Sequence, residues 1–234
     1  MKRFGPALSV KEELKLTEPC FGLGGFHKFC QIMGWETTLV NSMDIDGQLG
    51  NFFRSLAQMG DERAMKIVNS VSFGDKNGGN MLKVKLNELL DSDLLSAGGP
   101  CQGWAGHGAS AGFDDPRSYV SLLLVDWIVE LANRDPCLLK AIFLENSSNI
   151  TKSGSGIRYQ SKNITAMELI RDGLRAKVAH FSFEHVIVNS EDDNGHVRLR
   201  CWIRGVRGDL LMDGERLKPI PQPLTIPLGS RGVY

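Results

Sequence analysis

The chain alternates short apolar blocks, closed by glycines or carboxylates, with longer stretches whose apolar positions recur every three to four residues. A glycine turn, GLGG at residues 22–25, follows a strand and opens the helical stretch FHKFCQIMG. ETTLVNSMDID reads as the next strand, running into acidic residues. Residues 51–69 carry helical periodicity, and LLSAGG reads as a short buried strand stopped by its glycines. SYVSLLLVDWIVELAN is a strong amphipathic helix with Pro136 beyond its end, KAIFLEN a buried strand ending in a carboxylate and an amide, and TAMELIRDGLRAK a further helix. FEHVIVNS and VRLRCWIRGV read as two strands joined by the polar turn EDDNGH. This alternation predicts an α/β fold with helices on the faces of a sheet. Ligands of open α/β sheets bind beyond the carboxyl ends of the strands. GLGG, DID, GGPCQ and LEN all fall at such ends, so four segments converge on one candidate edge.

Composition narrows the classes. With 234 residues, 42% of them hydrophobic and 23% charged, the chain can bury a sizeable core. Lys+Arg and Asp+Glu both number 27, so bulk charge gives no reason to expect a polyanionic partner, and any nucleic-acid contact has to come from a local patch. The five cysteines are scattered without a CxxC pair, which predicts neither a metal site nor a disulfide framework. The start MKRFGPALSV has no signal-peptide core, and the longest apolar stretch contains Asp126 and Glu130 and is too short for a bilayer. An intracellular, soluble protein without a membrane partner is expected, nuclear in a eukaryote and cytoplasmic otherwise.

Four groups of residues carry candidate chemistry. Gly22, Leu23, Gly24 and Gly25 let the backbone approach a ligand closely at a helix N-terminus. Asp44, roughly twenty residues on at the end of the next strand, suits the hydroxyls of a ribose. Together they favour an adenosyl-type cofactor, without separating a nicotinamide cofactor from S-adenosylmethionine. Cys101, flanked by Pro100 and by glycines on both sides, fits a reactive thiol better than a packed core position. Glu145 ends a very apolar strand, where a carboxylate needs hydrogen bonds or a proton. Arg198 and Arg200 alternate on one strand and share a face. Arg204, Arg207, Arg216 and Lys218 extend that basic character.

GGPCQGW followed by GHGASAGFDDPR resembles the catalytic loop of DNA (cytosine-5)-methyltransferases. The resemblance runs in the family's order through FGLGGF, MDID, GGPCQ, FLENSSNI, HVRLRCWIRGVR and PQP. It implies a Rossmann-like methyltransferase fold, a mostly parallel sheet with helices on both faces, and S-adenosylmethionine as cofactor. By the same resemblance Cys101 is the nucleophile that adds to carbon-6 of cytosine, and Glu145 holds the N3 edge of the ring. Arg200, and with it Arg198, steadies the base and that carboxylate. The glycine turn lines the methionine end of the cofactor, Asp44 its ribose, and Pro100 and Val120 match further cofactor-contacting positions. The acid expected at the adenine amine falls on Asn80 by its distance from Cys101, while Asp75 suits better by type. The target base has to leave the stack to reach Cys101.

The sequence also departs from the family pattern. Cys20 stands where an aromatic is usual, Gly103-Trp104-Ala105 replaces a segment with phenylalanine and serine, and the usual Glu-Asn-Val is Glu145-Asn146-Ser147. His196 replaces a glutamine. In the family a variable target-recognition region follows the arginine strand; here the proline-rich PIPQP comes soon after it. A catalytic domain over residues 1–218 and a proline-rich segment over 219–234 are therefore expected. Recognition of a site in DNA would then involve a separate subunit or domain. The expected function is methylation of carbon-5 of cytosine in DNA. RNA as substrate, or a non-catalytic relative that binds the cofactor or a partner methyltransferase, are the alternatives.

Overall fold

The computed structural model describes residues 13–104, 111–152, 158–159, 162–189 and 199–211. Seven strands among them form one sheet: β1 (Leu14–Pro19), β2 (Thr37–Asp44), β3 (Val71–Phe73), β4 (Leu94–Gly98), β5 (Ala141–Ser147), β6 (Phe181–Asn189) and β7 (Leu199–Arg207). Their order across the sheet is β3-β2-β1-β4-β5-β7-β6. The first five are parallel, and β7 runs antiparallel between β5 and β6. The helices are α1 (Gly25–Ile32), α2 (Gly47–Gln58), α3 (Glu62–Ser70), α4 (Tyr119–Ala132) and α5 (Ala166–Lys177). This is the Rossmann-like arrangement expected from the sequence, a mostly parallel sheet with helices packed on it.

Each crossover is started by local chemistry. Asp46 and Asp61 cap α2 and α3 by accepting the N–H of Gln48 and of Ala64. Thr165 and Glu168 form a reciprocal capping box at α5. The single helical stretch expected over 51–69 is two helices, because Gly60 takes a positive φ of 90° and Asp61 begins a new cap. β3 and a short antiparallel pair, Arg158–Tyr159 with Lys162–Asn163, were not expected from the sequence pattern.

Two apolar clusters fill the faces of the sheet. Leu16, Phe53, Ile67 and Phe73 pack on the side of α2 and α3. Leu95, Trp127, Ile142 and Leu174 pack on the side of α4 and α5. Burying each of these side chains contributes about 1.5–3 kcal/mol. α4 is buried on more than one stripe, with Val120, Leu124, Val125, Trp127, Ile128 and Leu131 all inside, so it is a core helix rather than an amphipathic surface one. β5 sends Ile142 and Leu144 into that core and turns Phe143 and Glu145 to the opposite, half-buried face. No helix among the described residues is long and apolar enough to cross a membrane.

Candidate functional site

The carboxyl ends of β1, β2, β4 and β5 lie side by side, which brings the four segments singled out in the sequence to one edge. Gly22 and Gly24 sit at φ of 55° and 68°, a region costly for other residues. A Cβ built on Gly22 or Gly25 would meet nothing within 4 Å, so the turn presents bare backbone to open space.

Three side chains hold that turn in place. The Asp44 carboxylate accepts the N–H of Gly22 at 2.8 Å with one oxygen and that of Asp46 at 2.9 Å with the other. Arg63, on α3, donates to the carbonyls of Leu23 and Gly24 at 2.9 and 3.1 Å. Glu18, the penultimate residue of β1, accepts the N–H groups of Phe26 and His27, each at 3.1 Å. Gly24 is the N-cap of α1 and has no side chain to offer, so Glu18 caps the helix from the neighbouring strand. Glu18 is 5% exposed, and burial pushes its carboxyl up to about 7 against the pull of those hydrogen bonds and of Arg63. His27 is buried beside it, and burial together with Arg63, Lys66 and Lys28 pushes its imidazole down to about 4.

Beyond β2, Gly79 lies so close under the carbonyl of Asp44 that a Cβ there would come within 2.2 Å of it. Asn80 and Asp75 are joined: the Asn80 amide donates to the Asp75 carboxylate at 2.6 Å, and its oxygen accepts the N–H of Leu82. Lys83 closes on Asp75 at 2.7 Å, and these donors hold the exposed Asp75 carboxyl below its usual range. The two alternatives for the adenine position are thus one hydrogen-bonded unit, with Asp75 two residues past the end of β3.

Cys101 comes three residues past the end of β4 and is half-buried. Its carbonyl accepts the N–H of Trp104 at 2.9 Å. Trp104 is 3% exposed and meets Phe113 edge-on, with 5.0 Å between ring centroids. Asn149, just past β5, donates to the Trp104 carbonyl at 2.8 Å and so ties the cysteine turn to the neighbouring strand end. Gly103 presses on Ser118, where a Cβ would meet the hydroxyl at 2.1 Å.

Glu145 stands opposite Gly98 in the parallel register of β4 and β5. Arg200, near the start of the antiparallel β7, reaches the same edge from the other direction and binds Glu145 through Nε at 2.7 Å. The two side chains are 21% and 23% exposed, a half-desolvated pair that is held firmly yet open to a ligand. Between this pair and the glycine turn lies a cavity of about 700 Å³. Glu18, Gly25, Phe26, Gly98, Glu145 and Arg200 are among its walls. Of the expected site residues, Gly22, Leu23, Gly24, Asp44, Asn80, Pro100, Cys101 and Val120 are not, and Val120 is 8% exposed within the α4 core.

Within the basic stretch, Arg204 pairs with Glu184 at 3.1 Å, and Arg207 with Asp209 at 2.7 Å and with backbone carbonyls, so these two side chains already have partners. Arg198, His196, Arg216, Lys218 and the segment 219–234 lie outside the described residues. Glu18, Arg63 and Asn149 were missed. Glu18 carried a usable signal, a carboxylate ending an apolar strand in LKLTEP. Arg63 and Asn149 act through backbone carbonyls and left none.

A family model described as C-5 cytosine-specific DNA methylase matches residues 15–226. The chain is 26% identical over 170 residues to Type II methyltransferase M.HhaI of Haemophilus parahaemolyticus, covering 69% of this chain and 47% of that protein. It is 26% identical over 198 residues to Orphan methyltransferase M.Rho11sI of Bacillus phage rho11s, covering 83% of this chain and 33% of that protein. The chain thus spans about half or less of the length of these relatives. Among solved structures it shares the fold of an S. pombe Dnmt2 methyltransferase, with a TM-score of 0.57 at 18% identity over 84% of this chain and 50% of that one. A DNMT2 from Spodoptera frugiperda gives a TM-score of 0.55 at 18% identity, over 91% and 55%.

Proposed function

Because the chain belongs to the C-5 cytosine-specific DNA methylase family, we propose that it transfers a methyl group to carbon-5 of cytosine in DNA, with Cys101 as covalent nucleophile. S-adenosylmethionine is the cofactor, and it supplies the methyl group. The residues present fit it. Gly22 and Gly25 offer backbone that a Cβ would obstruct, and the adjoining cavity lies within the range of about 300–1,000 Å³ usual for such ligands. Asp44 stands at the end of β2, where a ribose is held in folds of this class.

The observation that carries the reading is the Glu145–Arg200 pair, set at the strand edge beside the cysteine turn and facing the glycine turn across the cavity. A cytosine flipped out of its stack places carbon-6 at the Cys101 sulfur and N3 at Glu145. As the thiolate adds to carbon-6, electron density moves into the ring and N3 takes a proton from Glu145. Arg200 holds that carboxyl group in position throughout. Carbon-5, now electron-rich, takes the methyl group. Loss of the carbon-5 proton to a base then lets the carbon–sulfur bond break, which restores the thiolate and returns the N3 proton to Glu145. The Arg200–Glu145 contact is in place before the reaction, and such preorganisation is where sites of this kind gain their rate.

Incubation with methyl-labelled S-adenosylmethionine and separate DNA and RNA pools tests this. Label is expected in DNA, in cytosine, and absent with Cys101→Ala. Label confined to RNA would move the substrate, and label in neither pool would overturn the reading.

A further inference from the structure

We propose that Glu18 is a positioning residue for the cofactor: by capping the first turn of α1 from β1, it fixes the backbone of the Gly22–Gly25 turn against which S-adenosylmethionine lies. The inference deepens the reading above and rests on it. The first N–H groups of a helix have no partner within the helix, and the residue at the cap position here is a glycine. Glu18 supplies both missing acceptors, one carboxylate oxygen to each N–H. Its own N–H is held by the Ser42 hydroxyl on β2, so the strand that carries it has little freedom to shift. It also forms part of the cavity wall, which sets the cap beside the ligand rather than behind it.

The arrangement depends on charge. A carboxylate accepts at both oxygens, whereas its protonated form turns one oxygen into a donor facing a donor. Arg63 on α3 and His27 and Cys30 on α1 face Glu18; Asp44 ends the adjacent β2, and Glu145 with Arg200 stands across the cavity. Of these, Arg63 favours the charged form, but burial outweighs it and brings the carboxyl to about 7. His27 titrates near 4 and Cys30 near 12, so neither changes state in the neutral range. Near neutral pH the cap therefore exists in both forms, and only one of them satisfies both N–H groups.

Binding of S-adenosylmethionine to the full chain, measured by calorimetry from pH 6 to pH 8.5, tests the assignment. Wild-type affinity should fall as pH drops through about 7. Glu18→Gln should bind about tenfold more weakly at pH 8 and show no such inflection. Retention of wild-type affinity at pH 8, or of the inflection, in Glu18→Gln overturns the proposal. Should that variant not fold, amide exchange of the wild type decides instead. Protection factors of Phe26 and His27 must drop through the same pH range while those of β4 hold, and unchanged factors overturn the proposal. A wild type that binds no cofactor at any pH removes the cofactor reading itself and this inference with it.

Discussion

Replacing His27 by glutamine is expected to make stability depend on pH in a window where this pair leaves the wild type level. The Glu18 carboxyl titrates near 7 in the folded chain, against an ordinary 4.5. Its contribution is fully present below pH 4.5 and is lost as pH rises through 7. His27 is displaced the other way, to about 4 from an ordinary 6.5, so its contribution is present above 6.5 and is lost as pH falls towards 4. Between pH 4.5 and 6.5 the folded chain holds a proton on Glu18 and the unfolded chain holds one on His27. The counts match, and the two slopes cancel. In His27→Gln only the Glu18 slope remains, about 1.36 kcal/mol for each pH unit, so stability should decline by about 3 kcal/mol from pH 4.5 to 6.5. Glu18→Gln should show the mirror image, with stability rising over the same window. Urea unfolding at half-unit pH steps, read as variant minus wild type, isolates the effect. His185, also pushed down by burial and nearby arginines, is common to all three proteins and drops out of the difference. Parallel pH profiles for His27→Gln and wild type would refute the pairing of these two groups.

Cys101→Ala should abolish the covalent adduct with 5-fluorocytosine DNA, in which fluorine blocks release of the enzyme, while Cys137→Ala leaves it; gel mobility under denaturing conditions reads both. Glu145→Gln should lower the methyl-transfer rate by about 10²–10⁴-fold with cofactor affinity nearly unchanged. Asp44→Ala should weaken cofactor binding first, since it removes the anchor on the Gly22 N–H. Equal losses of affinity in the two would mean their roles are misassigned. Gly103→Ala should slow adduct formation without altering cofactor binding, because its Cβ would strike the Ser118 hydroxyl and displace the cysteine turn.

Much of this architecture was legible because it lies in local pattern. Glycines and carboxylates at the ends of apolar strands mark the ligand edge of a parallel sheet, and GLGG, DID, GGPCQ and LEN all reached it. The same rule applied to LKLTEP would have found Glu18, whose carboxylate stands near the end of β1 as that of Glu145 does near the end of β5. The division of α2 from α3 was also written in the chain, as a glycine followed by an aspartate, but the apolar period ran through it. β3 is three residues long, too short for a period of two to stand out. What no spacing reveals is the partner of a long side chain. Arg204 and Arg207 looked like a basic surface and are occupied by Glu184 and Asp209. Arg63 and Asn149 serve carbonyls far off in sequence, contacts that any residue in the recipient turn would accept.

The placement of β7 between β5 and β6 bears on how the protein comes to be assembled. β6 is made first, yet it ends at the margin of the sheet, and the strand made after it takes the place next to β5. β5 therefore gains its partner on that side only when β7 arrives. Until then Glu145 has no guanidinium opposite it, for Arg200 arrives with the inserting strand. Pairing of segments far apart in sequence is the slow part of folding, which makes the Glu145–Arg200 pair a late event. Trp202 faces Glu145 across the β5–β7 register, so its fluorescence during refolding should rise or fall in step with the gain of the site and behind the collapse of the core.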